Sequence, residues 1–208
     1  MKKFWIAILA AATFGVALNA QAIEFEEGVH YDVVGDKASD EVEILDFFSF
    51  YCGSCYQFQP FGQMLRAEFG DSFKKYHVNF IGPRDIGDVT VRTWAVANIL
   101  GVADEVEPLI FRKHFQQRNM SSSVDDLASV FTLVGVEREK FDEAYNSFPA
   151  RSQANRMRRE AETFEVNATP TFIVNRRYRM NPQGFRDSED FFGDYLELAK
   201  YLVAKDKS

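Results

Sequence analysis

The chain has 208 residues, 46% apolar and 26% charged, with 12 Gly and 6 Pro, which excludes a collagen-like, disordered or wholly membrane-embedded chain. Its 21 Phe, 8 Tyr and 2 Trp are core-forming material for a globular protein of one domain with an insertion, or of two small domains. With 24 basic against 31 acidic residues the formal charge is −7, which argues against nucleic acid or an anionic membrane as the main partner, since both recruit basic surface.

In chain order, the first element is not part of the fold. Met1-Lys2-Lys3 is a basic n-region, Phe4 to Leu18 is an apolar stretch of 15 residues, and Ala20-Gln21-Ala22 has small residues at both positions of an A-x-A cleavage site. A secretory signal peptide over 1–22 is predicted. The alternative, a membrane anchor, needs roughly 20 apolar residues and following stop-transfer charges. The mature chain then starts at Ile23, in an oxidising space, most simply the periplasm.

Val42 to Tyr51 is a mostly apolar, aromatic run of the kind a central strand shows when both its faces are covered. Cys55, Phe58, Gly62, Leu65 and Phe69 then recur every three or four residues, predicting a helix that stops near Gly70 and kinks at Pro60. Lys75 to Ile81 alternates as a second strand. Helical patterns follow at 88–100, 106–115, 123–134, 137–148 and 150–166, the third opened by the capping pattern Ser123-Val124-Asp125-Asp126. Thr171 to Val174, a turn at Asn175-Arg176, and Arg177 to Met180 return to strands, and an amphipathic helix from near Ser188 closes the chain. These patterns divide the mature chain into segments 23–84, 85–148 and 149–208, the middle one wholly helical. The basic residues Arg151, Arg156, Arg158 and Arg159 read as a solvated helix face.

Only two cysteines are present, in Cys52-Gly53-Ser54-Cys55. Closing so short a loop constrains the unfolded chain by only about 2 kcal/mol, so the pair is a poor structural staple. A zinc site needs two further ligands, and His30, His77 and His114 show no paired ligand spacing, so packing or surface roles are expected for them and no metal is expected. What remains is a redox dithiol between a strand and a helix. Cys52 would open the helix, where unpaired N–H groups and the positive end of the dipole favour a thiolate. Cys52 is therefore expected to attack, and Cys55 to resolve. Asp46, six residues earlier in an apolar strand, is either buried beneath the cysteines with a raised pKa or at a wet strand end.

The CxxC at a strand-to-helix junction, Thr169-Pro170-Thr171 before a late strand, and the helical block between two halves resemble an α/β thioredoxin-like fold with an inserted α-helical domain, as in the DsbA family. Phe47-Phe48-Ser49-Phe50, Cys55-Tyr56-Gln57-Phe58, Lys75-Tyr76-His77-Val78-Asn79-Phe80, Trp94-Ala95-Val96-Ala97 and Asn181-Pro182-Gln183-Gly184 are similar to stretches of periplasmic DsbA oxidases. The resemblance implies a thiol:disulfide oxidoreductase that donates its disulfide to reduced, unfolded secreted proteins, is reoxidised by a DsbB-like membrane quinone reductase, and binds no cofactor. It implies that Pro170 is a cis-proline facing the disulfide, that Gly53, Ser54 and Thr169 border the substrate, and that Lys75 lies near the acid at Asp46. A monomer is expected, because only 23–41 precedes the first predicted strand, too little for the dimerisation domain of DsbC-like isomerases. Two departures bear on redox poise. Gly53-Ser54 replaces the usual Pro-His, which predicts a weaker oxidant, and Thr169 stands where DsbA oxidases commonly have Val, as in DsbC-like and DsbG-like isomerases. An isomerase or reductase of the same fold is the alternative reading, and a chaperone or binding module with a merely structural bridge is a third. Gln59 stands where the family typically has Glu, so one charged group near Asp46 and Lys75 is expected to be missing.

Overall fold

The computed structural model describes residues 24–83 and 85–205. The predicted signal peptide lies outside these residues, and among the described residues no helix is long and apolar enough to cross a membrane.

The sheet has five strands: β1 (Tyr31–Val33), β2 (Ile44–Phe48), β3 (Phe73–His77), β4 (Thr171–Val174) and β5 (Tyr178–Met180), in the order β1-β5-β4-β2-β3. β2 and β3 are parallel, joined through α1 (Gly53–Gln57) and α2 (Gln59–Phe69); the other pairings are antiparallel. Every residue of β2 is buried, as its apolar run predicts for a strand covered on both faces. On one side Ile44, Phe61, Leu65, Phe172, Tyr195 and Leu198 pack α2 and α8 (Phe191–Lys205) onto the sheet. On the other, Leu45, Phe47, Trp94, Phe111 and Phe131 join the sheet to a helical block. That block contains α3 (Gly87–Ile99), α4 (Ala103–Phe111), α5 (Val124–Thr132) and α6 (Arg138–Asn146), and α7 (Phe148–Thr163) packs along α3.

Several elements differ from the sequence expectation. β1 was not anticipated: Tyr31-Asp32-Val33 is too short to show a period, and it forms because it pairs with β5. The run to Tyr51 leaves the sheet after Phe48, where Cys52 N–H donates to the Ser49 carbonyl at 3.1 Å and starts the turn into α1. β3 begins at Phe73 and ends at His77. The helix after the cysteines is broken at Phe58, and Pro60 sits in the first turn of α2, where its missing N–H is not needed. Past α4 the chain widens into a π-helical turn over Arg112–Gln116, which carries His114 and Phe115.

Candidate active site

Cys52 is the N-cap of α1, with extended backbone angles (φ −97°, ψ 115°), and its sulfur accepts the Cys55 N–H at 3.4 Å. The Cys52 thiol also reaches the Thr169 carbonyl at 3.3 Å. Both cysteines are free thiols, Cys52 half-buried and Cys55 buried. The two are driven in opposite directions. The Cys55 side chain as donor, with lesser help from Thr169 and the N–H groups of Cys55 and Ser54, outweighs desolvation and lowers Cys52 to about 5. Burial foremost, then the hydrogen bond to Cys52 and the negative field of Asp46 and Cys52, pushes Cys55 far above the ordinary thiol value.

Gly53 and Ser54 occupy the exposed first turn of α1. Ser54 lines a groove of about 570 Å³ with Phe58, Thr169, Pro170, Gln183 and Phe191. The Thr169–Pro170 peptide is cis. The Thr169 hydroxyl is buried and has no hydrogen-bond partner among the described residues.

Asp46 is not at a wet strand end. It lies in mid-strand, paired across the sheet with Lys75 and Phe172, and is 4% exposed. Desolvation is the largest influence on its carboxyl and raises it to about 6 against the opposing pull of Lys75, whose ammonium stands 3.2 Å from Oδ2. Oδ1 is buried with no hydrogen-bond partner among the described residues. The expectation that one charged group is missing holds at Gln59 but not for the site. Glu107 of α4 reaches Lys75 at 2.5 Å, and all three ionic side chains are at most 10% exposed. Nothing in the α4 pattern marked Glu107, because its partner comes from a strand 32 residues away.

His77 and His114 are buried, and His30 is half-buried against Phe25 and Phe185. His77 Nε2 accepts the Phe50 N–H at 2.9 Å, and burial drives the ring to about 3, so it is neutral. His114 Nε2 accepts the Ser121 N–H at 3.0 Å, leaving Nδ1 to donate to the Phe50 carbonyl at 2.8 Å. Two imidazoles thus hold both backbone polar groups of Phe50, two residues before Cys52. Tyr51 adds a hydrogen bond from its hydroxyl to the Ser121 carbonyl at 2.8 Å.

The family model described as a DSBA-like thioredoxin domain matches residues 43–197. The thiol:disulfide interchange protein DsbA of Haemophilus influenzae is 35% identical over 211 residues, covering 99% of this chain and all of the relative. That of Pectobacterium carotovorum is 33% identical over 212 residues, with 99% and 100% covered. Among solved structures, DsbA of Klebsiella pneumoniae superposes with a TM-score of 0.79 at 28% identity over 88% of this chain and 100% of its own. DsbA of Proteus mirabilis does so with 0.78 at 29% identity over 87% and 98%. A helix-capping, acidic Cys52 over a buried Cys55, set in a thioredoxin fold with a helical insertion and matched over almost its whole length by such relatives, places this chain in the DsbA family of thiol:disulfide oxidoreductases.

Proposed function

We propose that the chain is a periplasmic oxidase, secreted through residues 1–22, that donates the Cys52–Cys55 disulfide to reduced, unfolded secreted proteins, works as a monomer, and is reoxidised by a DsbB-like membrane quinone reductase. The opposed acidities of the two thiols carry this reading. A substrate thiolate attacks Cys52 Sγ, the S–S bond breaks, and Cys55 leaves and takes up a proton. A second substrate thiolate then attacks the substrate sulfur of the mixed disulfide, and Cys52 leaves as a thiolate already stabilised by its surroundings. The substrate loses two electrons to the cysteine pair and two protons, one retained on Cys55 and one released to water. Asp46, buried with one oxygen unpartnered among the described residues, is the proton partner of Cys55 in both directions. The groove between Ser54 and Thr169-Pro170 is the place for an extended substrate segment, and the exposed Gly53 precedes Ser54 in the chain.

Trapping tests the roles. Cys55→Ala should accumulate mixed disulfides with reduced, unfolded protein through Cys52, and Cys52→Ala should neither trap nor transfer. Adducts from Cys52→Ala but not from Cys55→Ala would reverse the assignment.

A further inference from the structure

Among the described residues Lys75 is the cation of the buried cluster under the cysteines, and it faces two carboxylates from different parts of the chain: Asp46 at 3.2 Å from β2, and Glu107 at 2.5 Å from α4. Its position is otherwise fixed. The Lys75 carbonyl accepts the Trp94 indole N–H at 2.8 Å, and the ammonium lies 4.6 Å from the centre of the Phe48 ring. Glu107 has the shorter ion pair, so it competes with Asp46 for the ammonium. A groove of about 320 Å³, lined by Gln59, Gly62, Arg66, Asp104, Glu107 and Pro108, opens this cluster to solvent between α2 and α4. The groups facing Asp46 are Lys75 on β3, Glu107 on α4, Cys52 and Cys55 on α1, and Tyr195 on α8. Lys75 faces His77 as well, while Arg66 and Asp104 stand at the groove.

We propose that Glu107 is a positioning residue for disulfide exchange: from the helical block it shares Lys75 with Asp46, and so governs the proton exchange between Asp46 and Cys55. It does this from the wall of the groove opposite Gln59. A Cβ on Gly62, one turn along α2 from Gln59, would stand 3.7 Å from the Lys75 ammonium, so position 59 looks onto the same cation. With Glu107 neutralised, Asp46 would have Lys75 to itself and lose a like charge, so it would release its proton at lower pH. The inference rests on Asp46 being the proton partner of Cys55.

The test is the pH dependence of ring closure in the purified protein: Cys55 attacks a preformed Cys52–glutathione mixed disulfide, and released glutathione is counted after acid quench. Closure needs the ionised Asp46 carboxylate, so its rate should rise through a midpoint near the Asp46 pKa, about 6. In Glu107→Gln that midpoint should fall by roughly one pH unit. Adding Gln59→Glu to Glu107→Gln should return it toward the wild-type value, which a loss of packing alone would not do. A midpoint unmoved in Glu107→Gln, or moved but not restored by the second substitution, overturns the proposal. Asp46→Asn separates this from the underlying reading. If the inflection survives in Asp46→Asn, the reading of Asp46 fails; if it vanishes there but ignores Glu107→Gln, only the role of Glu107 fails.

Discussion

Thr169→Val tests what sets the acidity of Cys52. Removing the hydroxyl keeps the shape of the side chain, the backbone carbonyl 3.3 Å from the sulfur, and the groove. The hydroxyl it removes is buried and has no partner among the described residues, so in the dithiol form it is a spare donor beside a sulfur whose own proton points at the Thr169 carbonyl. When Cys52 ionises, that proton is gone and the hydroxyl can turn toward the anion. A hydrogen bond to a charged group contributes about 1.5–3 kcal/mol. Cys52 is only half-buried, so the lower end applies after solvent screening, about 1.4 kcal/mol or one pH unit. The sulfur, held near 5 by the Cys55 side chain first and Thr169 second, should therefore titrate about one pH unit higher in the variant. For a two-electron couple the same energy is about 30 mV, in the direction of a weaker oxidant. Ultraviolet absorbance of the thiolate gives the first quantity and equilibration with glutathione the second; Thr169→Ser, which keeps the hydroxyl, should leave both in place. A Thr169→Val protein with an unmoved or more acidic thiol would refute the reasoning and leave the Cys55 side chain and the α1 N–H groups as the whole explanation.

The double substitution Gly53→Pro with Ser54→His should make the protein a stronger oxidant by roughly 30 mV, because an imidazolium beside Cys52 favours the thiolate by about one pH unit at this exposed position. Proline suits the first position of α1, where an added Cβ would lie 3.7 Å from Phe115 Cε1, and the gain should shrink above the pH at which the new histidine loses its charge; an unchanged glutathione equilibrium would refute it. His77, buried and lowered from 6.5 to about 3, contributes stability that is complete above pH 6.5 and is lost as the pH falls toward 3, because the unfolded chain takes up the proton first. His77→Gln, which keeps an acceptor for the Phe50 N–H, should therefore lose about 3 kcal/mol less than wild type between pH 6.5 and 4 in urea titrations, and equal losses in the two proteins would sink the argument.

Residues whose partners lie nearby in the chain were legible, and those whose partners arrive from elsewhere were not. The CxxC, the helical run after it carrying Cys55, Gly62 and Leu65, though not its break at Phe58, and the β4 strand are local patterns, and β4 has the predicted bounds. Asp46 was legible as an oddity, a carboxylate in an apolar strand, but its two possible settings could be separated only by seeing β3 and β4 on either side of it. Glu107 and His114 looked like ordinary polar residues within helical patterns. What distinguishes them is a lysine on β3 and a carbonyl at Phe50, 32 and 64 residues away in sequence. Gln59 shows the converse. A missing charge can be read from one position, but its replacement from another helix cannot.

The helical block is therefore more than a cover over the sheet. His114 and Ser121 hold the peptide segment from Phe50 to Tyr51, Phe115 stands against Gly53 and stacks on Tyr56 at 5.3 Å, and Glu107 completes the ion cluster beneath Cys55. Each of these contacts meets the redox turn from a different side: its entrance, its exposed dipeptide and its buried floor. A cysteine pair whose intervening residues are Gly and Ser has little of its own with which to fix a geometry, since Gly is the freest of backbones and Ser presents only a neutral hydroxyl. Much of the rigidity must then come from outside the motif. It comes from Thr169 on one side, from two imidazoles gripping Phe50 on another and from a buried carboxylate–lysine–carboxylate group below, while the Cys55 side chain first, then Thr169 and the N–H groups of Cys55 and Ser54, lower Cys52, so Gly-Ser between the cysteines does not by itself leave it with an ordinary thiol acidity.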